Sequence, residues 1–283
     1  MKHMNYSKRK IEWNGYTLDF SKKTFVMGIL NLTPDSFSDG GEFIDDMSAI
    51  NHAKEMAEQG ADIIDIGGES TRPGAVKVEE EEELRRVIEP LKAVRSAVEL
   101  PISIDTYKAK VAEKAIENGA DIINDVWGAK ADPDMAYVAA HYDVPIILMH
   151  NREKAEYENL MDDMVRDLEK SIELCVRAGV KDNRIILDPG IGFGKTYEHN
   201  VLVMRHLEKI TKIGYPILLG TSRKSLVSRT LNLPVNQRVE GTGATVCFGI
   251  NKGAGIVRVH DVLEMHRMVK MMDVMIGKED IPE

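Results

Sequence analysis

The hexapeptide GADIID at residues 60–65 returns almost unchanged as GADIIN at residues 119–124. In each copy the glycine follows a segment with helical spacing, where it fits a helix C-terminus, and the Ile pair opens a short apolar run. A repeated succession of helix, glycine and strand indicates a protein of alternating α and β elements. Each copy ends in a polar residue, Asp65 in the first and Asn124 in the second.

Eight short apolar runs of this kind lie along the chain. They occupy residues 24–33, 62–67, 102–106, 121–126, 145–150, 184–189, 216–222 and 255–260. Their nearly continuous hydrophobicity is typical of strands that are covered on both faces. Helical stripes lie between them, most clearly over residues 84–98 and 161–175. This alternation favours an α/β protein with a (β/α)8 TIM barrel over a doubly wound sheet, which usually carries a Gly-rich phosphate motif after its first strand.

Residues 1–20 precede the first full run and predict a short N-terminal β-hairpin, with Asn14-Gly15 as its turn. We expect this hairpin to close the N-terminal end of the barrel. Because no linker or low-complexity segment divides the chain, we expect a single barrel domain over residues 1–283.

Charge and cysteine content limit the partners and the compartment. Thirty-seven basic against 46 acidic side chains give a net charge of −9, which disfavours nonspecific binding to nucleic acid or an anionic membrane. The apolar runs are far shorter than the ~18 residues of a membrane span. Cys175 and Cys247 stand alone in helical patterns, so we expect buried thiols in a reducing compartment. These features predict a cytoplasmic protein without nucleic-acid or membrane partners.

Polar residues lie at or near the end of each of the eight runs, and they carry the functional signal. They are Asn31, Asp65, Asp105, Asn124, His150, Asp188, Lys224, Arg258 and His260. A barrel brings the C-terminal ends of its strands to one rim, where the active sites of such barrels lie. One group, formed by Asp105, Asn124, Asp188 and Lys224, suits the edge of a flat heterocycle. A second group, formed by Asn31, Thr71, Arg258 and His260, suits a phosphate with Mg²⁺.

The segment GIGFGKT at residues 190–196 resembles a phosphate-binding P-loop. The motif GxxxxGK[ST] requires a glycine at position 189, where this chain has Pro189. We therefore do not interpret the segment as a nucleotide-binding loop.

Seven segments together resemble the dihydropteroate synthases, an enzyme family of folate biosynthesis. They are MGILNLTPDSFSDGG (27–41), IGGESTRPGA (66–75), SIDT (103–106), INDV (123–126), LDPGIGFGK (187–195), LLGTSRKS (218–225) and IVRVH (256–260). The resemblance implies a homodimeric (β/α)8 transferase that condenses 7,8-dihydropterin-6-ylmethyl diphosphate with p-aminobenzoate. The products would be 7,8-dihydropteroate and pyrophosphate. It further implies Mg²⁺ as the cofactor and sulfonamides, which mimic p-aminobenzoate, as inhibitors.

The resemblance also assigns individual residues. Those implied to bind the pterin are Asp105, Asn124, Met149, Asp188, Lys224 and Arg258. Those implied to bind the diphosphate are Asn31, Thr71, Arg258 and His260, with Asn31 also the Mg²⁺ ligand. Those implied to bind p-aminobenzoate are Thr71, Arg72, Pro73, Phe193, Lys224 and Ser225. The residues expected to act in the reaction itself are Lys224, Asp105, Arg258 and Asp35, with the two carboxylates stabilising positive charge on the pterin.

Two other functions stay open at this point. A barrel that transfers a methyl group from methyltetrahydrofolate to a corrinoid protein would share the pterin residues but would need no diphosphate loop. A non-catalytic pterin-binding barrel would be expected to lack charged rim residues. The segments at 31–41, 67–75 and 258–260 favour the synthase.

Overall fold

The computed structural model describes residues 10–32, 46–70 and 77–281. An antiparallel hairpin comes first, formed by β1 (Lys10–Trp13) and β2 (Tyr16–Asp19). The parallel strands are β3 (Phe25–Asn31), β4 (Ile63–Gly67), β5 (Ile102–Asp105), β6 (Ile122–Asp125), β7 (Ile146–Met149), β8 (Ile185–Asp188), β9 (Leu218–Leu219) and β10 (Ile256–Val259). Each of the eight apolar runs contains one of these parallel strands.

Helices lie between the strands. They are α1 (Asp46–Glu58), α2 (Glu80–Ala97), α3 (Ala109–Glu117), α4 (Met135–Tyr142), α5 (Leu160–Arg177), α6 (Tyr197–Arg205), α7 (Glu208–Thr211), α8 (Ser225–Leu231), α9 (Val239–Asn251) and α10 (Val262–Met275). The stripes at residues 84–98 and 161–175 fall on α2 and α5, where apolar side chains at helical spacing pack onto the strands.

The parallel strands close into a barrel. Their order is β8-β7-β6-β5-β4-β3-β10-β9. The strands β3 to β8 follow one another in chain order around the barrel, and β10 and β9 close the ring between β3 and β8. A parallel bridge between Leu187 and Ile217 joins β8 to β9, and the Leu187 N–H donates to the Pro216 carbonyl at 2.9 Å. The prediction of a (β/α)8 barrel is confirmed.

The repeated hexapeptide has the structure that its glycines predict. Gly60 and Gly119 have φ angles of +99° and +110°, in the left-handed region that favours glycine. They follow α1 and α3, and the Ile pairs after them open β4 and β6. A Cβ on Gly60 would lie 2.5 Å from the His266 ring, so close packing also requires glycine here.

The hairpin packs on the N-terminal end of the barrel, as expected. Asn14 and Gly15 both have positive φ, which gives the tight turn that Asn-Gly predicts. The hairpin side chains Ile11, Trp13 and Leu18 are buried against the apolar residues that begin the strands. These strand residues are Phe25, Met27, Ile63, Ile122, Ile147, Ile186, Leu218 and Ile256.

Strand alternation makes the barrel interior polar at its other end. Ile63, Ile122, Ile186 and Ile256 belong to the interior cluster beneath the hairpin. Two residues farther along each strand, a side chain points to the same face. These positions are Asp65, Asn124, Asp188 and Arg258, and Met149 follows Ile147 in the same way. A polar inner layer therefore lies at the C-terminal ends of the strands.

Only one of the two cysteines is buried, whereas both were expected to be. Both cysteines are free thiols, and Cys175 is buried as predicted. Cys247 is partly exposed, because Val246 and Ile250 form the buried face of α9 and Cys247 lies beside that face. Within the described ranges, no helix is long and apolar enough to cross a membrane.

Candidate active site

Arg258 on β10 is ion-paired with two buried carboxylates of the polar layer. Its Nε donates to Asp65 Oδ2 at 2.5 Å, and its Nη2 donates to Asp105 Oδ2 at 2.7 Å. Burial disfavours the guanidinium charge, but the two carboxylates outweigh it and raise the pKa of Arg258 above its usual range. The site therefore holds a permanent positive charge between two acids that come from different strands.

Asp105 on β5 keeps one oxygen available. Its Oδ1 is buried and has no hydrogen-bond partner among the described residues, while Oδ2 accepts from Arg258. Burial raises the pKa of Asp105 to about 7, although the Arg258 guanidinium opposes the rise. A buried oxygen without a partner costs about 1–3 kcal/mol, so this atom suits an N–H or O–H of a bound ligand.

Asp65 is a site residue that received no role in the sequence interpretation. It is fully buried, and in addition to binding Arg258 it lies 3.4 Å from the Asn124 amide nitrogen through each of its oxygens. Asp65 therefore orients two side chains that the resemblance assigns to the pterin. The sequence feature that could have identified Asp65 is the hexapeptide repeat, because Asp65 and Asn124 occupy the last position of its two copies.

Asp188 ends β8 in register with Met149 on β7. Its Oδ1 accepts the Gly190 N–H at 2.7 Å, which ties the carboxylate to the loop that follows the strand. Burial raises the pKa of Asp188, and the Lys224 ammonium opposes that rise. Asp188 and Met149 thus form one wall of the layer, a carboxylate beside an apolar side chain.

Lys224 precedes α8 and turns its ammonium towards the loop after β8. Its Nζ donates to the Ile191 carbonyl at 2.7 Å and lies 4.6 Å from the centre of the Phe193 ring. Burial lowers the pKa of Lys224 to about 8, while the Asp188 carboxylate acts to raise it. Ser225 begins α8 next to Lys224 and is exposed to solvent.

Asn31 ends β3 and His260 directly follows β10, and these two strands are neighbours in the barrel. His260 Nδ1 lies 3.0 Å from Ser222 Oγ, and the His260 backbone N–H donates to the same oxygen at 3.2 Å. Asn31 is partly exposed and pairs in register with Gly67 on β4. Both side chains therefore border the polar layer at its solvent side.

His150 does not join this layer, contrary to the expectation that all strand-end groups converge. Met149 takes the inward position, so the next residue points outward. The His150 ring is buried between Lys195 Nζ, 2.9 Å from Nδ1, and Asp167 Oδ2, 3.3 Å from Nε2. Burial and the nearby cations lower the pKa of His150 to about 2, so its ring is neutral.

The structure therefore brings together a central part of the residue set given by the resemblance. Asp105, Asn124, Met149, Asp188 and Arg258 share the inner face, with Lys224, Phe193, Ser225, Asn31 and His260 around it. Asp35, Thr71, Arg72 and Pro73 lie outside the described residues, and their positions stay predictions. No group of three or more His, Cys, Asp or Glu side chains in the described part of the chain forms a ready metal site.

Sequence comparison finds similar proteins over most of the chain. The family model described as pterin binding enzyme matches residues 27–260. Dihydropteroate synthase of Clostridium beijerinckii is 60% identical over 92% of this chain and 97% of its own length. Dihydropteroate synthase of Bacillus subtilis is 58% identical over 92% of each chain.

Structure comparison gives matching results. A Clostridium difficile dihydropteroate synthase in the presence of pteroic acid superposes with a TM-score of 0.89 at 50% identity, covering 91% of this chain and 98% of its own. The Xanthomonas albilineans enzyme with 4-aminobenzoic acid has a TM-score of 0.89 at 38% identity, covering 96% and 99%. The Yersinia pestis enzyme with a sulfonamide drug has a TM-score of 0.89 at 41% identity, covering 95% and 99%.

Proposed function

This chain belongs to the pterin-binding enzymes and, within them, to the dihydropteroate synthases, and we propose that its inward-facing polar layer is where the pterin binds. The reaction joins 7,8-dihydropterin-6-ylmethyl diphosphate to p-aminobenzoate and releases pyrophosphate. The observation that carries this assignment of the site is the convergence of Asp105, Asn124 and Asp188 beside the charges of Lys224 and Arg258.

The hydrogen-bonding edge of a pterin suits these groups. The exocyclic amine and the adjacent ring N–H present two parallel donors, which the carboxylate of Asp188 can accept together. The amide of Asn124 can both donate and accept, as the neighbouring amine and ring nitrogen require. Asp105 Oδ1 would accept a ring N–H on the reduced side, and Lys224 would donate to the ring carbonyl. Met149 would pack against the edge of the ring.

The diphosphate would lie above this layer, towards Asn31 and His260, and would reach Arg258 and Thr71. A single amide oxygen at Asn31 fits Mg²⁺, because this cation keeps several waters and is usually bound together with substrate phosphates. The cation would neutralise charge on the departing pyrophosphate when it is bound. His260 and the guanidinium of Arg258 would donate hydrogen bonds to the same group.

The p-aminobenzoate would bind beside Lys224. The Phe193 ring offers an apolar wall and Ser225 offers a hydroxyl at the start of α8. Arg72, Pro73 and Thr71 would complete this pocket and bind the carboxylate. Sulfonamides, which share the aromatic amine, would compete for the same pocket.

The reaction needs no strong general base. An aromatic amine is already neutral at pH 7 and presents its lone pair, and the His150 ring is held between Lys195 and Asp167. The bond from the methylene carbon to the diphosphate oxygen would break well before the new C–N bond forms. The Asp105 carboxylate, with Asp35, would stabilise the positive charge that develops on the dihydropterin.

We further propose that the protein is a cytoplasmic homodimer. The apolar side chains Phe248 on α9 and Met271 and Met275 on α10 are exposed, and these two helices pack against each other. An exposed apolar surface of this kind favours association with a second copy. The free thiols of Cys175 and Cys247 suit a reducing compartment.

The test of the function is a product assay with the purified protein, the dihydropterin diphosphate, p-aminobenzoate and Mg²⁺. We expect equal amounts of pyrophosphate and 7,8-dihydropteroate, and a loss of turnover when Mg²⁺ is chelated. A parallel reaction supplies methyltetrahydrofolate and a corrinoid acceptor. Methyl transfer without dihydropteroate formation would contradict the synthase.

A further inference from the structure

The segment GIGFGKT at residues 190–196 has a structure opposite to that of the P-loop it resembles in sequence. A P-loop surrounds an anion with backbone N–H groups. Here backbone carbonyls surround a lysine nitrogen: Lys195 Nζ donates to the Phe193 carbonyl at 2.9 Å, to the Gly190 carbonyl at 3.0 Å and to the His150 carbonyl at 3.5 Å. His150 Nδ1 is a fourth partner at 2.9 Å.

The glycines let this loop press directly on the backbone that follows β7. Gly190 and Gly194 have φ angles of +65° and +55°. A Cβ on Gly190 would lie 2.0 Å from the His150 carbonyl oxygen, and one on Gly194 would lie 2.5 Å from the Arg152 carbonyl oxygen. Carbonyl groups of two loops are thereby brought together, and Lys195 Nζ supplies N–H donors that they need.

The same loop carries the contacts of two groups in the proposed site. Ile191, whose carbonyl accepts from Lys224, lies between the two loop residues whose carbonyls Lys195 binds. The Phe193 ring packs beside the Lys224 ammonium. A shift of the Gly190 or Phe193 carbonyl would therefore move both the acceptor and the aromatic wall of Lys224.

We propose that Lys195 is a positioning residue, which fixes the loop after β8 and thereby places Lys224 and Phe193 for substrate binding. This inference rests on the proposed function of Lys224. Lys195 itself touches loop carbonyls and His150, so its effect on substrates passes through the residues that the loop holds.

A double-mutant cycle separates positioning from a purely structural role. The affinity for pteroic acid is measured by calorimetry in the wild type, Lys195→Met, Lys224→Met and the double variant. When Lys224 is intact, we expect Lys195→Met to weaken pteroic acid binding about tenfold. In the Lys224→Met background, the same change is expected to weaken binding less than about threefold.

Equal losses of affinity in both backgrounds would contradict the positioning role of Lys195 and leave the proposed function of Lys224 in place. Unchanged affinity of Lys195→Met with a lower melting temperature would do the same. Unchanged affinity in Lys224→Met would contradict the proposed function of Lys224 and, with it, this inference. Lys212→Met removes an exposed lysine and is expected to bind like the wild type. Lys195→Gln, which retains an N–H donor, replaces Lys195→Met in the cycle if the latter does not fold.

Discussion

The ammonium of Lys224 is a group of the rim whose charge changes close to neutral pH. Burial lowers its pKa to about 8, and the Asp188 carboxylate holds it from falling further. The Lys224 ammonium is the protonated form that can hydrogen-bond the pterin carbonyl with full charge, so proton loss above pH 8 removes a charge-assisted bond.

We therefore expect loss of the Lys224 proton to weaken the binding of 7,8-dihydropteroate as pH rises through about 8. The fall in affinity should approach about tenfold for each pH unit above the pKa of Lys224. Titration of Lys224→Met over the same range is the matched control, since ionisation of the ligand affects both proteins alike. The same pH dependence in both proteins would show that another group is responsible.

Single residues differ in how far the sequence could identify them. Asp105, Asn124 and Asp188 lie near the ends of apolar runs, so barrel geometry predicts that they reach the same rim. The role of Asp65 could not be predicted, because its partner Arg258 lies 193 residues away and only the closed barrel brings them together. The Lys195 contacts depend on glycine φ angles and on the loop after β7, which sequence spacing does not specify.

At the scale of elements, the hairpin and the site lie at opposite ends of the barrel. Trp13 on β1 is buried among the residues that begin the strands, and its indole N–H donates to the Asp121 carbonyl at 3.0 Å. Such an element stabilises the fold without touching the substrates, as expected for the N-terminal end of a barrel.

Trp13→Ala is expected to lower the free energy of unfolding by about 3–5 kcal/mol, because a large buried side chain is lost. The affinity for pteroic acid of the folded variant should stay within about twofold of the wild type, since the polar layer is unchanged. Urea unfolding and calorimetry measure the two quantities, and Glu12→Ala, an exposed neighbour on β1, is the control. If Trp13→Ala bound pteroic acid more weakly but unfolded at the wild-type free energy, the assignment of stability to the hairpin end and of binding to the polar end would be contradicted.

The elements that would form the aminobenzoate pocket predict an order of binding. Thr71 is proposed to contact both the diphosphate and p-aminobenzoate, so filling the first subsite should complete the second. We expect p-aminobenzoate to bind at least about tenfold more tightly when Mg²⁺ and pyrophosphate are present. Calorimetric titrations with and without pyrophosphate test this coupling, and by linkage pyrophosphate should bind more tightly to the aminobenzoate complex. Equal affinities would rule it out.

The boundaries of the elements were predictable where local chemistry decides them. Asn14-Gly15 and the glycines at 60 and 119 mark a turn and two helix ends, and the structure has them there. The inward or outward direction of a strand-end residue was harder, because it depends on where the strand enters the barrel. His150 shows this, since the position before it, Met149, takes the inward face.

At the scale of the whole molecule, the barrel interior is divided along its axis. The hairpin and the first strand residues make one end apolar, while the last strand residues make the other end polar and charged. Counting strands and reading their alternation predicts this division. The ion pairs that cross the polar end join β4, β5 and β10, and they follow from ring closure.

The central claim is that this polar layer binds the pterin, and the affinity of Asp188→Asn for pteroic acid tests it most directly. The amide replaces one carboxylate oxygen with a donor, so a pterin N–H loses its acceptor at about 1–3 kcal/mol and meets a second donor. We expect calorimetry to show at least about thirtyfold weaker binding, with wild-type affinity in Asp134→Asn, an exposed aspartate before α4. Unchanged affinity in Asp188→Asn, with the fold intact, would contradict the claim.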